Sequence, residues 1–206
     1  GCQPLNISFL SNNTNILTET DFYWTFGDGT FSTKEIPLPH LYSNNQDVSI
    51  NRTIKLNAVS RYGCSDSITR QITVFPYIFA KFAVDKASVC SDEEFEIDRS
   101  ATNGAISQYM WDFNNDGVTD ATSSSPVFNH SYSNTTLSPQ NTTLKLTVEN
   151  AQGCDTSWIQ SLVVYPEVQS QFEIDDTEPC YPIPTQLHNI SSFKGTVATK
   201  FFWDFG

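Results

Sequence analysis

The residues of this chain best suited to chemistry are Asp112-Phe-Asn114-Asn-Asp116-Gly117-Val-Thr-Asp120. Side-chain oxygens stand at positions one, three, five and nine, with glycine at six. That is the first half of a calcium loop, where a hard cation takes oxygen ligands and glycine permits the sharp turn. Any calcium in this chain is therefore expected on Asp112, Asn114, Asp116 and Asp120, and the chain as a whole requires no cofactor. Position twelve is Ser123 and not the usual glutamate. The related phrase Trp24-Thr-Phe-Gly-Asp-Gly29 has Thr25 and Gly27 in place of two ligands. The competing reading is a polar turn satisfied by its own backbone.

Cysteine supplies the second chemistry. Cys2 and Cys64 are 62 residues apart, and Cys90 and Cys154 are 64 apart. The matched separations predict disulfides Cys2–Cys64 and Cys90–Cys154, leaving Cys180 odd. Closing a loop of that length stabilises a fold by about 4 kcal/mol in the chain-entropy model. Buried thiols are the alternative, since connectivity does not follow from spacing alone. Zinc is disfavoured because no Cys-x-x-Cys occurs and the histidines do not cluster. Disulfides would place the chain outside the cytosol.

Catalysis finds little to use. The histidines are His40, His130 and His188. No Gly-x-Ser-x-Gly, His-Glu-x-x-His or phosphate loop is present. The acid pairs Glu93-Glu94 and Asp175-Asp176 read as solvated charge, so no enzyme is expected. With 23 acidic and 11 basic residues the net charge is −12, which argues against nucleic acid and against anionic membrane surfaces as partners. No apolar run approaches the ~20 residues of a membrane span. Asn-x-Ser/Thr sequons begin at Asn6, Asn12, Asn51, Asn129, Asn134, Asn141 and Asn189. In a chain this rich in Asn, Ser and Thr they carry little weight.

The elements that position these residues repeat. Cys2, Cys90 and Cys180 are spaced by 88 and 90 residues, and Trp24, Trp111 and Trp203 follow them by 22, 21 and 23. His40-Leu-Tyr42 matches His130-Ser-Tyr132, and both Gly63-Cys64 and Gly153-Cys154 end a similar apolar-alternating run. Val74-Phe-Pro76 matches Val164-Tyr-Pro166. The chain is an array of one module. The expected divisions are 1–76, a module lacking its first strand; 77–166, a complete module; and 167–206, the start of a third. Both ends cut through a module, as in a piece of a longer protein.

Within each copy the apolar period is two. Ile54, Leu56 and Ala58 alternate with polar neighbours, as do Leu144, Leu146 and Val148. Such alternation buries one face of a strand and wets the other. Asn, Ser, Gly and Pro clusters divide the runs, and no amphipathic helix is apparent. The expected fold is all-β, with tandem sandwiches of roughly 90 residues each.

Trp24-Thr-Phe-Gly-Asp-Gly-Thr30, then Pro39-His-Leu-Tyr42 and Gly63-Cys64, resembles the PKD domain, an immunoglobulin-like β-sandwich. Trp111-Asp-Phe113, Asp116-Gly117, His130-Ser-Tyr132 and the partial Trp203-Asp-Phe-Gly206 carry the same likeness. The resemblance implies that Trp24, Phe26, Trp111, Phe113 and Trp203 are core and that the histidine-tyrosine segment forms a clasp resembling a tyrosine corner. Thr25 departs from the pattern, as does the extra Asn in Asn114-Asn115. So do the long polar stretches Ser43–Asn51 and Ser133–Thr142, whose loops are the places to look for specialised contacts.

The Gly-Cys elaboration resembles PKD arrays of large surface proteins in Bacteroidota, including gliding-motility adhesins of the type IX system. This implies an extracellular stalk on a bacterial surface. Its partners would be neighbouring modules of the same chain and a polysaccharide, protein or other surface carried distally. The alternative is an accessory module of a secreted protease or polysaccharide hydrolase. Hydrophobic-Pro junctions, Phe75-Pro76 and Tyr165-Pro166, predict short stiff linkers.

Overall fold

A computed structural model describes residues 1–10, 20–175, 184–193 and 200–206. Cys180 and the sequon at Asn12 lie outside the described residues. Every regular element among the described residues is a strand, as the period-two pattern requires.

Copy one contributes β1 (Leu5–Ile7), β2 (Thr20–Thr25), β3 (Phe31–Ser32), β4 (His40–Tyr42), β5 (Ile50–Ser60) and β6 (Ser65–Val74). Strands β3-β2-β5-β6 form one antiparallel sheet, and β1 pairs with β4 in a second. Copy two contributes β7 (Ile78–Phe79), β8 (Ala83–Val84), β9 (Ser88–Cys90), β10 (Phe95–Asp98), β11 (Asn103–Gly104), β12 (Ile106–Asp112), β13 (Val127–His130), β14 (Gln140–Asn150) and β15 (Asp155–Tyr165). Here β12-β14-β15-β9 face β13-β10-β8, while β7 and β11 pair separately. Four short strands follow: β16 (Val168–Gln169), β17 (Phe172–Ile174), β18 (Leu187–Asn189) and β19 (Ser192–Phe193). The fold is an immunoglobulin-like β-sandwich, repeated.

Two compact units result. One comprises Gly1–Phe79, Asn103–Gln108 and Val148–Thr156; the other comprises Ala80–Thr102, Tyr109–Thr147 and Ser157–Gly206. The first unit centres on Phe26, Tyr42, Ile54 and Val74, with Phe9 and Trp24 packed against them. In the second, Trp111, Phe95, Leu144 and Leu146 are buried, and Phe82 and Phe128 meet the Trp111 ring edge-on. Burial of aromatics of this size dominates the stability of a small sandwich.

Copy one makes the same core differently. Phe9 meets Trp24 edge-on at 5.1 Å, the arrangement Phe82 has with Trp111. Strand pairing places Ile7 opposite His40 and Phe95 opposite His130. Phe9 therefore occupies the position of Ile97, two residues on, and supplies the ring that copy two takes from Phe82.

Trp203 is less buried than Trp24 and Trp111. It is 41% exposed, although Phe172 meets it edge-on as in the other copies. Trp24 pairs with Leu56 on the long hairpin C-terminal to it, and Trp111 lies on a sheet with its own long hairpin. Among the described residues no such hairpin lies beside Trp203.

Candidate functional site

The Trp phrase ends in a turn that each copy secures with a clasp. Tyr42 donates to Phe26 O at 2.9 Å and Tyr132 donates to Phe113 O at 2.5 Å. Both phenols are pushed up, chiefly by burial, Tyr42 to about 12, so the hydroxyl stays a donor. His40 stacks on Phe26 at 4.2 Å and His130 on Phe113 at 3.9 Å. Gly27 is required by close approach. Its φ is +77°, and a Cβ there would stand 2.7 Å from the Thr53 backbone.

The two copies then diverge electrostatically. In copy one His40 Nε2 lies 2.6 Å from Asp28 Oδ2. Asp28 Oδ1 accepts from Thr30 Oγ1 at 2.6 Å and Thr30 N at 3.0 Å. Burial raises the Asp28 pKa, but the Thr30 and His40 bonds outweigh it and hold the carboxyl down at about 2. In copy two burial pushes His130 down, against a smaller pull upward from Asp120. That imidazole is kept neutral where its counterpart faces a carboxylate.

The expected calcium residues are brought together, and their oxygens are turned on the loop itself. Asp112 accepts from Asp116 N at 3.1 Å and Gly117 N at 2.9 Å. Asn114 Oδ1 accepts from Asp116 N at 3.1 Å, and its amide donates to Asp116 Oδ2 at 3.0 Å. Asp116 Oδ1 accepts from Val118 N at 2.8 Å, and Asp120 accepts from Phe113 N at 2.7 Å. An amide donor aimed at Asp116 is the geometry of a polar turn closed on itself. Among the described residues no group of three or more His, Cys, Asp or Glu side chains is gathered to hold a metal. In this arrangement the loop oxygens are engaged with the loop's own amides, and no role is built on calcium.

The cysteines pair differently from expectation. Cys2 is bonded to Cys154, with Cα atoms 5.5 Å apart, and Cys64 and Cys90 are free and exposed. The Cys2–Cys64 and Cys90–Cys154 pairs fail for one physical reason. Gly1 hydrogen-bonds Phe75 N and Thr73 O, which puts Cys2 at the C-terminal end of β6. Cys64 lies before the other end of that ten-residue strand. At about 3.3 Å per residue the ends are ~33 Å apart, and a disulfide needs Cα atoms within ~7 Å. Copy two repeats the arrangement. Cys90 pairs with Tyr165 in the parallel β9–β15 register, and Cys154 precedes the far end of the eleven-residue β15.

Cys64 and Cys154 are placed by the same tight turn. Gly63 N donates to Ser60 O and Ser60 N to Cys64 O; Gly153 N donates to Asn150 O and Asn150 N to Cys154 O. Gly63 and Gly153 have φ of +82° and +76°, the left-handed residue that closes this hairpin class. Cys2, Pro76–Phe79 and Cys154–Thr156 share one cleft of about 220 Å³. Proximity across the short Pro76 junction, and not spacing within a copy, decides the bond.

Sequence reasoning missed Asn44 and Asn134. Both are about as buried as the core, at 1% and 2% exposure. Asn44 Nδ2 donates to Val48 O at 2.8 Å and Val74 O at 2.9 Å; Asn134 Nδ2 donates to Ser138 O at 3.0 Å and Val164 O at 2.8 Å. Each ties the polar stretch to the closing strand. The recurrence of Tyr-Ser-Asn at 42–44 and 132–134 was the available signal. The Asn134 sequon is therefore inaccessible, whereas Asn6, Asn51, Asn129, Asn141 and Asn189 are exposed. His188 lies beside Asp175 at 2.7 Å on the surface.

No family model and no curated protein matches the chain in sequence. Solved structures align with it at low similarity. Fibronectin(III)-like modules of Clostridium thermocellum CbhA are 14% identical over 79% of this chain and 85% of theirs, with a TM-score of 0.35. An amphioxus IgVJ-C2 molecule is 13% identical over 80% of this chain and 98% of its own, with a TM-score of 0.31. The SGBP-B protein of a Bacteroides ovatus mixed-linkage glucan utilization locus, in complex with a mixed-linkage heptasaccharide, is 14% identical over 78% of this chain. It is covered over 40% of its own length, with a TM-score of 0.25.

Proposed function

We propose that the chain is a non-catalytic stalk of tandem sandwiches in a secreted or cell-surface adhesin, carrying a distal binding region and bearing tension. The observation that carries this reading is the Cys2–Cys154 bond. It joins the opening of one copy to the hairpin of the next. Such a bond resists separation of successive modules and contributes nothing to turnover. It also belongs to an oxidising compartment. Among the described residues no helix is long and apolar enough to cross a membrane.

The motif residues support the same reading. Trp24, Phe26, Trp111 and Phe113 pack inward or against the turn clasps, so none is offered to a ligand. An adhesin for gliding motility, exported through the type IX system to the outer surface, is the specific form we propose, on the PKD-like motifs alone. Small-angle scattering of the chain tests the stalk. An extended profile with a narrow distribution of lengths, unchanged by insoluble polysaccharide, is expected. A compact or freely jointed profile, together with retention on polysaccharide, favours the accessory module of a secreted hydrolase or protease instead.

A further inference from the structure

Among the described residues the Cys2–Cys154 bond leaves one cysteine of each kind unused. Cys90 is the counterpart of Cys2: each stands at the C-terminal end of its copy's last strand, Cys90 opposite Tyr165 and Cys2 next to Gly1, whose carbonyl accepts from Phe75 N just past Val74. Cys64 is the counterpart of Cys154, closing the same glycine turn with the same pair of backbone bonds. Both are exposed thiols. Strand length forbids either from bonding within its own copy, as shown above. The geometry already built at Cys2 and Cys154 is thus presented again, half complete, at both Cys90 and Cys64.

We infer that Cys90 and Cys64 are the open ends of a disulfide ladder, in which the opening cysteine of each module bonds the hairpin cysteine of the module after it. Cys90 takes the Gly-Cys turn of a following copy of this module, and Cys64 takes the opening cysteine of a preceding copy. The contact is head-to-tail, so it propagates and does not close on itself. In each rung two thiols lose two protons and two electrons and one S–S bond forms. A disulfide oxidant of the thiol–disulfide carrier class accepts the electrons and is reduced to its dithiol. The inference rests on the tandem-module reading and holds for either use of the array.

The test lengthens the whole chain by repeating residues 77–166 once in place, so that copy two is followed by an identical copy. The protein is oxidised in a glutathione redox buffer and its peptides are mapped without reduction. Cys90 of the first copy should be found bonded to Cys154 of the duplicate, with Cys2–Cys154 retained. Cys64, the duplicate's Cys90 and Cys180 should remain titratable. Cys90→Ser in the first copy should release the duplicate's Cys154 as one additional titratable thiol and leave Cys2–Cys154 intact. A titratable Cys90 in the lengthened chain overturns the ladder, as does a Cys90–Cys154 bond within one copy. Scattering of the same oxidised protein reports on the stalk separately, since a flexible array with every rung formed would sink the stalk and keep the ladder.

Discussion

The hydroxyl of Tyr42 reaches the carbonyl of Phe26 at 2.9 Å, and a repeat later Tyr132 reaches that of Phe113. One bond, made twice, fastens the segment after each Trp turn back to the turn. Tyr42→Phe keeps the ring and leaves a carbonyl without its donor. Denaturant unfolding should show a loss of about 1–2 kcal/mol for either Tyr→Phe change. Wild-type stability in both variants would mean that the clasp is incidental.

Asn134→Ala should be the more damaging change. The Asn134 amide satisfies Ser138 O and Val164 O, and its own oxygen accepts from Thr136 N. Removing it strands the carbonyl of buried Val164 at about 1–3 kcal/mol, while exposed Ser138 O keeps the Thr136 hydroxyl. A melting-temperature drop larger than that of Tyr132→Phe is expected, and Asn134→Asp should not restore it, because a carboxylate cannot donate to Val164 O.

Acid should act on copy one through Asp28. Its folded pKa is depressed to about 2 from 3.8, so the ionised form is favoured by folding. The contribution is complete above about pH 4 and is lost as pH falls toward 2. Asp28→Asn should flatten the stability profile in that window, measured by urea titration at several pH values. An unaltered profile would show that the pair with His40 adds nothing.

His130 acts in the same direction as Asp28, in a higher pH window. Its pKa lies below the ordinary 6.5 because it is buried, so folding favours the neutral ring. Stability from this source is complete above about pH 6.5 and falls as pH drops through the lower folded value. His130→Gln should remove that slope while Asp28→Asn leaves it.

The acidic loop of copy two should be insensitive to metal. Asp112→Ala removes the acceptor for Asp116 N and Gly117 N and should cost about 1–3 kcal/mol, equally with calcium and with chelator. A melting temperature that falls on chelation, and no longer does so in Asp116→Ala, would reinstate calcium at Asp112, Asn114, Asp116 and Asp120.

Local chemistry was legible in the residues, and long-range pairing was not. Alternation at Leu144, Leu146 and Val148 announces a half-buried strand because side-chain direction follows from backbone period alone. The Trp phrases announce their turns because glycine and aspartate act within a few residues. Cys2 and Cys64 mislead because equal spacing is silent about which end of a ten-residue strand each one occupies. Asn44 and Asn134 read as loop residues because a buried amide and a solvated one share a letter.

The distance in sequence between Cys2 and Cys154, 152 residues, bears on wear. Surface loops such as those after Tyr42 and Tyr132 lie inside the interval it encloses, and exposed loops are where proteases cut. A single cut anywhere in that interval breaks the backbone and leaves both fragments covalently attached. Non-reducing electrophoresis of a nicked chain would still show one band. A protein that spends its life among extracellular proteases could thus be cleaved once and lose nothing downstream of the wound.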